Sequence, residues 1–434
     1  MHWLLRGAYR ATGALAEALA ALAPRGGGKV ARSLRARHVA RAGLVAWGRA
    51  QREASRPLLW VHAPSVGEGL QARPVLELAR AAMPGLQLAY TWFSPSAEGL
   101  ASTLDADFVG PLPLDTATNA RAALDALRPA ALVFSKLDVW PVLVAEASAR
   151  GVRLGLVSAT LAEESSRGDR FARALLRDAY AALDAVGAID EADAARLVAF
   201  GVRPDRIAVT GDTRYDQVWA RARGIDRGSS LLASLGDTRP TLVAGSTWPA
   251  DEGPLLGAWD RLLRQAPHGE RPRLVIAPHE PTPAHCAAIE RWARRAGLGL
   301  GAIDSADAGK ADVLLVNRVG VLGDLYALAT VAYVGGGFHR AGLHSVLEPA
   351  AFGVPVVVGP LHRRSRDAML LLAAGGAAAA DNVAGLEAAI GSWLSGDRDA
   401  GARAGEAARQ VVRRGLGAAA RSWGLVAGLL DARG

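Results

Sequence analysis

The chain has 434 residues, half of them hydrophobic and 21% charged, which excludes wholesale disorder and allows a large buried core. Its length suggests two or three domains, and a single cysteine, Cys286, excludes an internal disulfide and fits a reducing compartment. The formal net charge is +8, with 47 arginines to 3 lysines, a compositional bias rather than a functional signal.

Residues 1–50 hold nine Lys/Arg (Arg6, Arg10, Arg25, Lys29, Arg32, Arg35, Arg37, Arg41, Arg49) against one acid, Glu17, so this segment carries the whole net charge; the remaining 41 basic and 41 acidic residues cancel. Beside the apolar stretch LLRGAYRATGALAEALAALAP, such a basic leader suits an anionic membrane surface; the alternative is the solvated basic face of an ordinary helix. Arg10 and Glu17 interrupt any apolar region of a signal peptide. No uncharged apolar run approaches the ~18 residues of a spanning helix. The expectation is a chain that lies on a membrane without crossing it.

Short apolar runs then alternate with longer amphipathic ones. Strands are expected at 58–63, 86–93, 131–136, 153–159, 185–189 and 207–212, and a second set at 241–246, 273–279, 313–318, 331–336 and 355–360. Between them lie helical patterns such as PVLELARAAM and CAAIERWARRAG. Apolar runs without in/out alternation indicate strands buried on both faces, and strand–helix repeats of this kind indicate doubly wound α/β structure. The two sets are separated by the polar, glycine-containing segment 220–240, expected to be a linker. The resulting division is a basic apolar membrane-associating segment (1–50), a Rossmann-like domain (51–222) and a second Rossmann-like domain (236–434), the two facing each other across a cleft. The helical tail (386–430) could pack on either domain.

In parallel α/β sheets, ligands bind beyond the carboxyl ends of the strands, so the residues after each strand are the ones to read. They are PSVGEG, LDVWP and TRYD in the first half, and TWPADE, EPTP, VGVLGDLY and GFHRAGLHSVLEP in the second. Gly335, Gly336 and Gly337 could let a ligand approach the backbone. A helix expected from about Ser345–Pro349 to Gly353 would offer unpaired amides to a phosphate, with Glu348 accepting from neutral hydroxyls such as a ribose. The competing reading is a glycine-rich turn with a capping Ser345 and a solvated Glu348. In SVGEG, Ser65 could cap a helix through 70–82, Gly67 and Gly69 could let the loop approach a substrate, and Glu68 could be a general base or merely an acid at a helix N-terminus. Asp105 and Asp107 in DAD read as a turn rather than a metal motif, and no HExxH or paired cysteine is present.

Together these motifs resemble the 3-deoxy-D-manno-octulosonic acid (Kdo) transferases of lipopolysaccharide synthesis. The resemblance spans about residues 55–380 and rests on WVHAPSVGEG, TWFSPSAEG, LPLDTATNARAALDALRP, SKLDVWP, GDTRYD, AGSTWPADE, APHEPTP, VGVLGDLYALA and GGGFHRAGLHSVLEPAAFGVPVVVGP. It implies a GT-B glycosyltransferase fold, CMP-Kdo as donor and a lipid A precursor as acceptor, at the cytoplasmic face of the inner membrane. By the family's motifs, the catalytic base falls on Glu68, an acidic site residue on Asp138 and a basic one on Arg214. Donor contacts fall on Ser246, Thr247, Pro278, His279, Gly320, Val321, Leu322, Gly336, Gly337, His344, Ser345, Val346, Leu347 and Glu348. The chain departs from the common pattern at Trp248, where many members have His, at Asp138 for Glu, at PHE for PRH and at Ser345 for Asn.

The implied chemistry is inverting transfer. A carboxylate takes the proton of a sugar hydroxyl while helix amides and Arg214 stabilise the departing phosphate, without a metal or other cofactor. A UDP-sugar transferase or 2-epimerase of the same fold is the competing enzyme. A non-catalytic membrane or nucleic-acid adaptor is the competing non-enzyme. Confinement of the basic excess to the leader argues against nucleic acid as a partner.

Overall fold

The computed structural model describes residues 2–22, 28–161, 170–233, 235, 239–266, 271–303, 305, 308–394 and 398–431. The first half forms β1 (Leu58–His62), β2 (Gln87–Trp92), β3 (Phe108–Pro111), β4 (Ala131–Ser135), β5 (Arg153–Ala159), β6 (Ala185–Ala188) and β7 (Ile207–Val209). They pair throughout as a parallel seven-stranded sheet in the order β3-β2-β1-β4-β5-β6-β7. The second half forms β8 (Thr241–Thr247), β9 (Arg273–Pro278), β10 (Leu300–Ala302), β11 (Val313–Leu315), β12 (Val331–Val334), β13 (Val356–Val358) and β14 (Ala377–Ala379), again all parallel, in the order β10-β11-β9-β8-β12-β13-β14.

All eleven expected strands are present. The three that sequence reasoning missed, β3, β10 and β14, each sit at a sheet edge. An edge strand has a neighbour on one side only and can be short and partly exposed, so it lacks the apolar run that marks an interior strand. β1, β2 and β4, in contrast, are buried at every residue, because helices cover both sheet faces.

The chain divides into two units, residues 1–217 with 416–434, and residues 218–415. The division falls inside the helix Arg214–Arg223, ahead of the expected linker, whose residues 224–229 separate that helix from a short one at Ser230–Ala233. The expected start of the second domain, residue 236, lies outside the described residues. The last helix, Ala418–Asp431, belongs to the first unit and not to the second. Asp216 accepts its N-terminal amides from Gly417 (2.7 Å) and Ala419 (2.8 Å), and Val426, Leu429 and Leu430 join the core beneath β1 and β4.

The described residues among 1–50 belong to the first unit. The helices His2–Ala21 and Lys29–Ala50 pack on the first unit, with Leu44 and Trp47 in its core and the Tyr9 hydroxyl donating to Asp115 (2.9 Å). Arg37 turns inward, its guanidinium 3.1 Å above the Phe93 ring. Leu15 and Leu19 remain exposed on the outer face of the first helix. No helix among the described residues is long and apolar enough to cross a membrane. Arg25 and the side chains of Arg6 and Lys29 lie outside the described residues.

Candidate active site

In a doubly wound sheet the crevice for a ligand opens where the strand order reverses. In the first unit that point lies between β1 and β4. The β1 exit carries Ser65 and Glu68, and the β4 exit carries Lys136, Asp138 and Trp140. The helix Val66–Ala82 follows β1 with Ser65 at its N-cap position, as expected, and places Glu68 in its first turn. Lys136 Nζ lies 3.0 Å from Glu68 Oε1, the Ser65 hydroxyl donates to Oε2, and the Ser135 hydroxyl donates to the Glu68 carbonyl (3.0 Å). Ser65 thus serves the carboxylate and caps no backbone amide. Burial pushes the Glu68 carboxyl up, but the Lys136 charge and the hydrogen bonds from Ser65 and Lys136 outweigh it and hold the group below the usual carboxylate range.

One turn further on, the Gln71 amide donates to Asp212 (3.2 Å), and the Thr213 hydroxyl donates to the Gln71 carbonyl (2.6 Å). Buried Asp212 accepts Arg214 Nε (2.8 Å) and Nη2 (2.6 Å), and the Arg214 charge, prevailing over burial, keeps its carboxyl low. Glu68 and Arg214 therefore share one scaffold, the first turns of the same helix. Asp138 is half-buried on another side of the β4 exit, where Arg37 and Tyr9 feel its charge. Trp140 Nε1 donates to His62 Nε2 (3.1 Å), and the Phe93 ring packs tilted by 36° against the Trp140 ring at 4.9 Å. Burial keeps the His62 imidazole neutral, with its pKa pulled down to about 3. A Cβ on Gly67 would meet only the Ser65 hydroxyl, at 3.9 Å, but one on Gly69 would lie 2.6 Å from Leu100 and 2.7 Å from the Tyr90 hydroxyl. Gly69 thus serves the packing of this helix against Leu100 and Tyr90.

The second unit reverses order between β8 and β12. Here the organising residue is Asp251, fully buried in the first turn of the helix Pro249–Gln265. Its Oδ1 accepts the Tyr333 hydroxyl (2.9 Å) and the Phe338 amide (2.9 Å), and its Oδ2 accepts the amides of Gly336 (2.8 Å) and Trp248 (2.9 Å). The β12 exit is thereby tied to the β8 exit. A Cβ on Gly335 would fall 2.2 Å from the Ser246 carbonyl oxygen, on Gly336 2.1 Å from the Gly342 carbonyl oxygen, and on Gly337 2.4 Å from the Gly359 nitrogen. At all three glycines backbone packs on backbone too closely for any side chain.

Rings cover this junction. Trp248 stacks between His279 (4.5 Å) and His339 (4.2 Å, planes within 9°), and its Nε1 donates to His344 Nε2 (3.3 Å). Burial and the nearby His279 lower the His344 pKa to about 4, leaving a neutral acceptor. Ser246 holds a left-handed φ of 53° at the β8 exit. Thr247 is buried and donates its hydroxyl to Glu252 (2.8 Å), so that side chain is committed internally. Pro278 ends β9. Gly320 (φ 93°) and Val321 lead into the short helix Leu322–Leu325, and Arg221 pins the turn through Asp324 (3.0 Å) and the Gly320 carbonyl (3.3 Å). The helix expected after Ser345 is one turn, Leu347–Ala351, and Ser345 does not cap it; Val346 and Leu347 are buried, leaving only their backbone for a ligand. Gly353 follows in the left-handed region, as expected (φ 75°). Burial raises the Glu348 carboxyl, although Arg221 opposes this. No group of three or more His, Cys, Asp or Glu among the described residues is arranged to hold a metal.

Sequence reasoning missed Lys136, Asp212, Arg221, Asp251 and His339 as parts of these sites. Lys136, Asp251 and His339 lie in motifs already singled out, and Asp212 stands two residues before Arg214. Arg221, inside an expected linker, carried no signal.

Two parallel-sheet units with polar residues gathered at their switch points define a GT-B-type protein. Solved structures agree on that fold: UDP-GlcNAc 2-epimerase from Neisseria meningitidis bound to UDP-GlcNAc (TM-score 0.58, 14% identity, 82% of this chain and 98% of that one) and a glycosyltransferase from Rickettsia africae (TM-score 0.57, 10% identity, 87% and 98%). Sequence relatives narrow it. The family model for 3-deoxy-D-manno-octulosonic-acid transferase (kdotransferase) matches residues 37–217. The 3-deoxy-D-manno-octulosonic acid transferase of Bordetella pertussis is 33% identical over 347 residues (76% of this chain, 78% of that one), and that of Chlamydia trachomatis 29% over 312 residues (70% of each). The chain belongs to the Kdo transferase family, and it is a glycosyltransferase. The epimerase alternative shares the fold alone.

Proposed function

We propose that the protein transfers Kdo, with inversion, from CMP-Kdo to a lipid A precursor at an anionic membrane surface, the cytoplasmic face of the inner membrane. The observation that carries this reading is the Glu68 carboxylate, held ionised by Lys136 at the switch point of the first sheet. An ionised carboxylate can accept the proton of an acceptor hydroxyl as its oxygen attacks the anomeric carbon, while the bond from that carbon to the phosphate oxygen breaks and CMP leaves with the electron pair. Arg214, fixed by Asp212, is a cation for the developing phosphate charge or the donor's carboxylate. In the second unit, Glu348 is a desolvated acceptor suited to ribose hydroxyls, and the stacked rings of His279, Trp248 and His339 offer flat aromatic faces. No step is routed through a metal, since cationic side chains and amides can neutralise a single phosphate.

The test is ligand stabilisation. At CMP near 100 times its dissociation constant, folding gains about 2.7 kcal/mol, while UDP and UMP give much less. Equal stabilisation by UDP moves the protein to the UDP-sugar class.

A further inference from the structure

The β4 exit departs from ordinary strand geometry. Lys136 takes φ 68°, a left-handed conformation that costs a non-glycine residue about 1 kcal/mol or more. Its amide still donates to the Val157 carbonyl (2.9 Å), so the β4–β5 ladder runs one residue past the strand before the chain turns. The turn delivers the ammonium group to Glu68, 68 positions earlier in sequence.

Both carboxylate oxygens are then engaged, Oε2 by Ser65 and Oε1 by Lys136. The Glu68 side chain is 15% exposed and that of Lys136 42%, so the lysine stands on the solvent side of the pair. The other titratable groups near Glu68 are His62 on β1 and Tyr90 on β2. Burial keeps both neutral at neutral pH, pulling the imidazole down and pushing the phenol up. Among the described residues, Lys136 is the cation in contact with the carboxylate. The chain has three lysines, and one stands here, where a compact ammonium on a flexible stem can yield its place more readily than a forked guanidinium.

We propose that Lys136 is a positioning residue of the transfer site, holding the Glu68 carboxylate charged and oriented and yielding Oε1 when an acceptor hydroxyl arrives. This rests on the reading of Glu68 as the base.

The test is the pH profile of kcat/KM for Kdo transfer by the full-length protein, compared among wild type, Lys136→Met, Lys136→Arg and Glu68→Gln. Lys136→Met is expected to move the acidic limb to higher pH and to lower kcat by roughly ten- to a hundredfold, part of the ~10² to 10⁴ that a positioned base supplies, with donor KM little changed. Lys136→Arg, which keeps the charge, restores the limb. Should the Met variant fold poorly by thermal melting, Lys136→Gln is read in its place by the same criteria. A neutral variant whose profile superposes on wild type, beside an inactive Glu68→Gln, removes Lys136 and leaves Glu68 standing. An active Glu68→Gln removes both.

Discussion

Replacing Asp251 with Asn changes one atom at the junction of β8 and β12, and the structure fixes what that change costs. The carboxylate takes four donors, two on each oxygen. In Asn the better orientation keeps the carbonyl on the Gly336 and Trp248 amides and turns the NH2 toward Tyr333, whose hydroxyl can rotate to accept. The Phe338 amide is then orphaned, at about 1 to 3 kcal/mol. The three surviving bonds lose their charge, at about 1 kcal/mol each, for a total of about 4 to 6 kcal/mol. A unit spanning residues 218–415 falls by about 2 to 4 °C per kcal/mol, so its calorimetric melting temperature should drop by roughly 10 to 20 °C. CMP affinity should fall with it, because the glycine loop that Asp251 fixes leads into the proposed donor site. A drop of less than about 3 °C would refute the assignment of Asp251 as the organising residue.

Buried His62 makes folding pH-dependent: its folded pKa near 3 lies below the unfolded value, so the unfolded state takes up the proton first and stability falls as pH drops from about 6.5 toward 3, by up to about 1.4 kcal/mol per unit. His62→Gln, though less stable at pH 7, should melt with a flatter dependence over that window; an unchanged slope contradicts a neutral His62. Leu15 and Leu19 are 61% and 54% exposed, so Leu15→Glu with Leu19→Glu should leave melting unchanged while weakening association with anionic vesicles by roughly a hundredfold, the worth of about 3 kcal/mol of buried leucine. Equal sedimentation with such vesicles excludes that face as the membrane contact.

Much of the architecture is legible in the sequence because interior parallel strands announce themselves. The runs at β1, β4, β8 and β12 have no polar alternation, and that pattern alone locates the residues just beyond them, Glu68 and Gly335–Gly337 among them. The rest depends on partners distant in sequence. The interaction that charges Glu68 joins two strand exits, and only the strand order β1-β4 makes them neighbours. The glycine run marks a crowded backbone, but the backbone that crowds it, at Ser246, Gly342 and Gly359, comes from segments that the sequence does not place beside it. An amphipathic tail does not state which sheet it covers; Asp216, which caps Ala418–Asp431, decides it. Arg37 looked like one basic residue among nine, and its place over Phe93 follows from how the helix Lys29–Ala50 docks.

The most direct test of Glu68-assisted Kdo transfer is single-turnover transfer from CMP-Kdo to a lipid A precursor, by wild type and by Glu68→Gln matched for melting temperature and CMP affinity. Wild type should form the Kdo-bearing product, and Glu68→Gln should form it roughly 10² to 10⁴ times more slowly. Transfer at near wild-type rate by a folded, CMP-binding Glu68→Gln would contradict the mechanism, and no transfer by wild type would contradict the proposed substrates.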